Sequence, residues 1–154
     1  MANITAADVK KLRQETGAGM MDCKKALEAT NGDFSKAQEI LREKSLIKAD
    51  KKADRETKEG YIASYVHNNN KTAALVEILC ETDFVARNED LQKMGNNVAM
   101  QVVAMNPENV TELLSQDYIR DSKITVEELV KQTSGLLGEK LVVNRFTRYE
   151  IGLK

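Results

Sequence analysis

The chain has 154 residues, 42% of them hydrophobic and 31% charged, with a formal net charge of −1. This composition excludes a disordered chain, and the charge balance speaks against nucleic-acid or membrane binding driven by bulk charge. Aromatic residues are only 5% and proline occurs once, so the core must be aliphatic and helices can run unbroken.

The first part reads as short helices. Thr5 followed by Asp8 has the spacing of a capping box, and Ile4, Val9 and Leu12 put an apolar stripe on the helix that follows. "TGAG" at 16–19 breaks that helix, because glycine accepts a tight reversal. A second helix takes "MMDCKKALEAT", with Met20, Cys23 and Leu27 on one face. Adjacent Met20 and Met21 cannot both face inward. At least one is expected at the surface, either as ordinary leakiness or as a soft contact for a partner. "NG" at 31–32 ends the helix in left-handed backbone. Asp33 then caps a third helix whose inner face is Phe34, Ala37, Ile40 and Leu41.

"KADKKADRETKEG", 48–60, has almost no large apolar residue and reads as a solvated linker or exposed helix. The pattern then alternates: Tyr61, Ala63 and Tyr65 point one way, Ile62, Ser64 and Val66 the other. "NNNK" supplies turn chemistry, so 60–68 and 72–80 are predicted to pair as an antiparallel hairpin. "ETDFVARNED" follows at 81–90. Thr82 or Asp83 can cap a single helical turn there, on which Phe84 and Val85 cannot both point at one core. The pattern leaves Phe84 open between core and surface.

Leu91, Met94, Val98, Val102 and Met105 recur at helical spacing, up to Pro107. "VTELLS" predicts a short helix, and Thr125 with Glu128 a second capping box opening a helix to about residue 137. In "EKLVVNRFTRYEIGLK", Leu141, Val143, Arg145, Thr147, Tyr149 and Ile151 alternate with Val142, Asn144, Phe146, Arg148 and Glu150. That predicts a last strand joining the hairpin. The expected fold class is α+β: a three-helix module over 1–47, a charged linker over 48–59, and an antiparallel-sheet core packed with helices over 60–154.

Catalytic chemistry is hard to find. His67 stands alone beside the hairpin turn, with no Ser or Cys partner, and no His/Cys cluster has metal-ligand spacing. "SGLLGEK" lacks the spacing and the hydroxyl residue of a P-loop. The pairs Lys10–Lys11 and Lys24–Lys25 read as solvated helix faces. Cys23 and Cys80 lie outside any Cys-x-x-Cys spacing, so free thiols in a reducing cytoplasm are expected. No apolar run reaches about 18 residues, and "MANITAADVKKL" has no signal core, so neither a membrane helix nor secretion is expected. The expectation is a non-enzyme without a cofactor.

Three blocks carry a resemblance. "ITAADVKKLRQETGAGMMDCKKALEATNGDFSKAQEILREKSL", "CETDFVARNEDL" and "GLLGEKLVVNRFTRYEIG" resemble, in that order, segments of the bacterial elongation factor Ts family. The resemblance implies that the N-terminal module is ubiquitin-associated-like. It also implies a guanine-nucleotide exchange factor for elongation factor Tu, which would bind the GDP-bound and nucleotide-free partner. Thr82, Asp83, Phe84 and Val85 match the segment implicated in dislodging Mg²⁺ from that partner, the aromatic entering between two of its helices. Leu12, Met20 and Met21 are the partner-binding residues the resemblance implies in the N-terminal module, which leans on a helix near the guanine pocket. Core strands would touch a β-barrel domain of the partner, and no direct nucleic-acid or membrane contact is implied. Only one core copy is present and no helical insert, which is the family's short form. A homodimer could then supply two cores. "VVNRF" stands where a basic pair is usual, which leaves Asn144 without an assigned role.

Overall fold

A computed structural model describes residues 2–152. The expected outer limits of the two modules, residues 1 and 154, lie outside the described residues.

α1 (Ala6–Thr16), α2 (Met20–Ala29) and α3 (Phe34–Asp50) enclose an aliphatic cluster of their own. The capping box of α1 is complete: the Asp8 amide donates to Thr5 Oγ1 at 3.2 Å, and the Thr5 amide donates to Asp8 Oδ2 at 2.9 Å. Asn31 and Gly32 both take left-handed backbone between α2 and α3, with φ of 54° and 84°. Asp33 caps α3 by accepting the Lys36 amide at 3.1 Å. Val9, Leu12, Cys23, Ala26, Leu27, Ala37 and Leu41 fill the cluster. Met20 departs from the expected inner face. It opens α2, one turn before Cys23 enters the cluster, and is exposed.

The chain continues through β1 (Glu59–Val66), β2 (Thr72–Cys80), α4 (Asp83–Ala86), α5 (Glu89–Met105) and α6 (Val110–Ser115). Then come β3 (Asp117–Tyr118), β4 (Asp121–Thr125), α7 (Val126–Leu137) and β5 (Val142–Glu150). β1, β2 and β5 form an antiparallel sheet with β2 in the centre. Val76, Ile78 and Cys80 of β2 meet Leu91, Met94, Val98 and Val102 of α5, with Val126 and Val130 of α7 closing the same core. The architecture is α+β, helices preceding and then covering one face of the sheet.

Strict alternation in the last strand does not hold. The register between β2 and β5 passes from Glu77–Arg145 to Ile78–Val143 and skips Asn144. This β-bulge changes the phase. Leu141 and Val143 are buried before it, whereas Phe146 packs inward and Tyr149 is exposed after it. Asn144 Nδ2 donates to Glu77 Oε2 at 2.6 Å, which ties the bulge to the central strand. The ribbon of β3 and β4 was not anticipated, because two such short strands carry no readable alternation.

The charged stretch after residue 48 is not a free linker. α3 runs on to Asp50, and Lys52 is buried, its ammonium donating to the Lys48 carbonyl at 2.8 Å. Burial, reinforced by neighbouring cations, lowers its pKa. Lys140 Nζ donates to the Ala53 carbonyl at 2.6 Å. α3 also lies directly on α7. A Cβ on Gly135 would overlap the Ser45 carbonyl and sit 2.6 Å from Ser45 Cα, so only glycine permits this approach. Thr125 caps α7 as expected, accepting the Glu128 amide at 3.2 Å. The Glu128 carboxylate instead crosses to α3, where Arg42 Nη1 donates to it at 2.6 Å. Lys131 adds an ion pair to Asp50 at 3.1 Å.

Candidate functional site: a clamped apolar turn

α4 is one turn long and leaves the sheet at the end of β2. Thr82 caps it, accepting the Val85 amide at 3.4 Å. That geometry separates the residues the sequence left ambiguous. Ala86 is buried, Val85 packs against the core, and Phe84 points out with 78% of its surface exposed. Asp83 and Arg87 pair at 2.8 Å on the exposed side, and the Arg87 guanidinium lies 5.9 Å from the Phe84 ring centre. The ring therefore stands free except for one cation beside it. Asn88 then caps α5, accepting the Asp90 amide at 2.7 Å.

The root of this turn is tightly bonded. The Cys80 thiol donates to the Thr82 carbonyl at 3.2 Å. Burial pushes that thiol's pKa up to about 11, with nearby Glu139 adding to the effect. Glu139 Oε1 accepts the amides of Glu81 and Thr82 at 3.1 and 3.0 Å, and its Oε2 accepts the Thr82 hydroxyl at 2.6 Å. Sequence reasoning missed Glu139. Its partners lie 57 and 58 residues away, and "SGLLGEK" carries no local pattern that marks it.

A second exposed apolar surface stands on the N-terminal helices. Met20 and Met21 open α2 with 54% and 61% of their surfaces exposed, behind Gly19, which offers no side-chain cap. Leu12, expected with them at the contact, corrects that grouping. It is 0% exposed and belongs to the interior of the helix cluster, so it has no surface to offer. Thr82, Asp83, Phe84 and Val85 are thus brought together in one turn, while Met20 and Met21 form a separate patch. His67 Nδ1 lies 3.2 Å from Tyr65 Oη, and Cys23 and Cys80 are both buried and unpaired.

Fold and surface together define a class: an α+β protein with two separate exposed apolar features, the Phe84 turn and the Met20–Met21 helix start. Known proteins narrow the class. A family model described as "Elongation factor TS" matches residues 81–153. Elongation factor Ts of Oleidesulfovibrio alaskensis is 43% identical, over 99% of this chain and 100% of the relative. Elongation factor Ts of Rippkaea orientalis is 42% identical, over 99% of this chain and 80% of the relative. The chloroplastic elongation factor Ts of Rhodomonas salina is 42% identical, over 98% of this chain and 90% of the relative. The chain belongs to the elongation factor Ts family of translation elongation factors. The alignment with the O. alaskensis protein spans 197 positions, so at least 43 of them have no counterpart in these 154 residues.

Proposed function

We propose that this chain is a cytoplasmic guanine-nucleotide exchange factor for elongation factor Tu, acting without covalent chemistry or a cofactor of its own. The observation that carries the reading is Phe84. A protein with three phenylalanines exposes one of them on a capped turn beside its own core. A rigid ring at that position is suited to enter a gap between two helices of a partner.

The mechanism follows from the sensitivity of a magnesium site. Mg²⁺ requires near-octahedral ligation at about 2.0–2.1 Å. A wedge that displaces the partner's phosphate-binding loop by about an ångström breaks that geometry without touching the ion. Burial of the Phe84 ring supplies about 1.5–3 kcal/mol toward the displacement. Thr82 and Val85 hold the turn to the core, and Asp83 with Arg87 flanks the ring. Met20 and Met21 give a second, adaptable contact on the N-terminal module. Coupling is reciprocal, so whatever weakens nucleotide binding is itself weakened by nucleotide. Rebinding of GTP or GDP therefore expels the factor and lets it turn over.

The test is release of fluorescent GDP from purified elongation factor Tu. The full chain is expected to accelerate release in a concentration-dependent manner, and excess nucleotide to dissociate the complex. Release at the intrinsic rate at every concentration would remove the reading.

The outer face of the sheet supports a further contact. Ile62, Val66, Leu75 and Tyr149 are exposed on it, uncovered by any helix among the described residues. This is the surface for the partner's β-barrel domain and for a homodimer of single-core chains. Sedimentation of the free chain discriminates, because a monomer at all concentrations eliminates the dimer.

A further inference from the structure

We propose that Glu139 is the positioning residue for the exchange turn, so that the presentation of Phe84 depends on a carboxylate at the far end of α7. The inference rests on the exchange reading above.

β2 stops pairing with β1 at Cys80, so the amides of Glu81 and Thr82 leave the sheet ladder without strand partners. Unpaired amides at such a root would let the turn swing. Glu139 takes both of them on one oxygen. Its other oxygen takes the Thr82 hydroxyl proton. That bond fixes the direction of the hydroxyl, leaving a lone pair of Thr82 Oγ1 for the Val85 amide. The cap of α4 is therefore set by Glu139 through Thr82.

Glu139 is itself held. Gly138 ends α7 in left-handed backbone, with φ of 77°, and Ser134 Oγ donates to the Glu139 carbonyl at 2.6 Å. Arg55 brackets the junction, its Nη1 lying 3.4 Å from the Gly138 carbonyl and 3.5 Å from Glu81 Oε1. The end of α7 and the root of the turn form one bonded unit. Phe84 has no such support of its own, since its ring is exposed. A wedge transmits force only if its base does not yield, and this base is held chiefly by Glu139.

Stopped-flow release of fluorescent GDP from elongation factor Tu, over a concentration series, separates maximal rate from half-saturating concentration. Wild type, E139A, E139Q, F84A and F84A/E139A are compared. E139A is expected to lower the maximal rate by about tenfold or more, with little change in the half-saturating concentration. E139Q keeps an oxygen for both amides but meets the Thr82 hydroxyl with an amide donor, so its rate is expected to fall between those of wild type and E139A. The double variant is expected to be no slower than F84A alone, because both changes disable the same wedge. Amide exchange in the free chain gives a readout without the partner: the Glu81, Thr82 and Val85 amides lose protection in E139A while those of β2 keep theirs.

A wild-type maximal rate in E139A would overturn the proposal. So would a double variant slower than F84A by the full E139A factor, or unchanged protection of the three amides in E139A. Loss of β2 protection in both E139A and E139Q would show a general structural role, and overturns it as well. If the wild-type chain fails to accelerate release, the exchange reading falls, while the amide exchange still decides whether Glu139 holds the turn.

Discussion

The Phe84 turn and the Met20–Met21 helix start both put apolar side chains into solvent, but they are supported in opposite ways. α4 is a single turn whose stability comes from elsewhere: Thr82, Glu139 and the buried Val85–Ala86 side. α2 is a full helix whose first turn has no side-chain cap and whose inner face serves a small separate cluster. That cluster is seated on the core through α3, at the Gly135 approach and the Arg42–Glu128 bond. Under the exchange function proposed above, the difference predicts a division of labour. A rigid ring on a clamped base can push, whereas flexible methionines on a self-contained bundle can adapt and hold.

The largest effect should come from the ring. Phe84→Ala removes a contact worth about 1.5–3 kcal/mol when buried, which corresponds to a loss of exchange rate of about ten- to a hundredfold. The free chain should keep its stability within about 0.5 kcal/mol, because Phe84 packs on nothing but a cation. Thermal unfolding and GDP release, measured on one preparation, check both halves. A large fall in melting temperature would make Phe84 a structural residue and end the contrast.

Gly135→Ala comes next and acts on the other region. Its methyl group would meet Ser45 backbone, which cannot rotate away, so overpacking should cost about 1–3 kcal/mol in urea unfolding. Faster amide exchange should appear along the second half of α3, while the Thr82 amide keeps its protection. An unchanged unfolding midpoint would mean that α3 slides freely on α7 and that the N-terminal helices are loosely seated.

Met20→Ala and Met21→Ala should have smaller effects. Each removes an adaptable contact worth about 1 kcal/mol, so the half-saturating concentration should rise by about fivefold. The maximal rate should stay unchanged. A fall in maximal rate instead would give the methionines a share in the displacement step and blur the division.

How legible these regions were depends on the range of the forces that make them. The caps at Thr5, Asp33, Thr82 and Thr125 span three residues and were readable, as were the apolar face of α3 and that of α5 up to Val102, whereas Met105 on the same spacing is exposed. The Asn144 bulge was not, because a single skipped residue in a register is invisible to an alternation rule. Glu139 and Glu128 were unreadable for a related reason. Glu139 bonds to groups nearly sixty residues away, and Glu128, placed in a local box by its spacing, prefers Arg42 on α3. Leu12 was grouped with the surface by likeness alone, although its place on the apolar stripe of α1 already argued for the interior. Phe84 was half-legible. Its separation from Val85 required knowing which side of a single turn faced the sheet.

The smallest expected effect contrasts the two regions by the sign of their pH response. Asp8 closes the capping box of α1, and the Thr5 amide, followed by the Thr5 hydroxyl, holds its pKa below the ordinary aspartate value. A depressed folded-state pKa contributes stability that is present above the unfolded value and lost as pH falls through the folded one. Asp8 is half-exposed at the surface end of α1, so the loss should be local, seen as fraying of the first turn of α1 under acid. Cys80, at the root of the Phe84 turn, has the opposite sign. With its pKa raised to about 11, its contribution is present below the ordinary thiol pKa and lost as pH rises toward the folded value. A carboxyl-carbon titration of Asp8 should therefore show a depressed midpoint that Thr5→Ala raises only in part, because alanine keeps the amide and loses only the hydroxyl. Thiol alkylation of folded Cys80 should remain slow at pH 8, where an unfolded thiol of pKa about 8.5 already reacts. Fast alkylation there would mean that the base of the turn opens in solution, and the firm half of the comparison would fail.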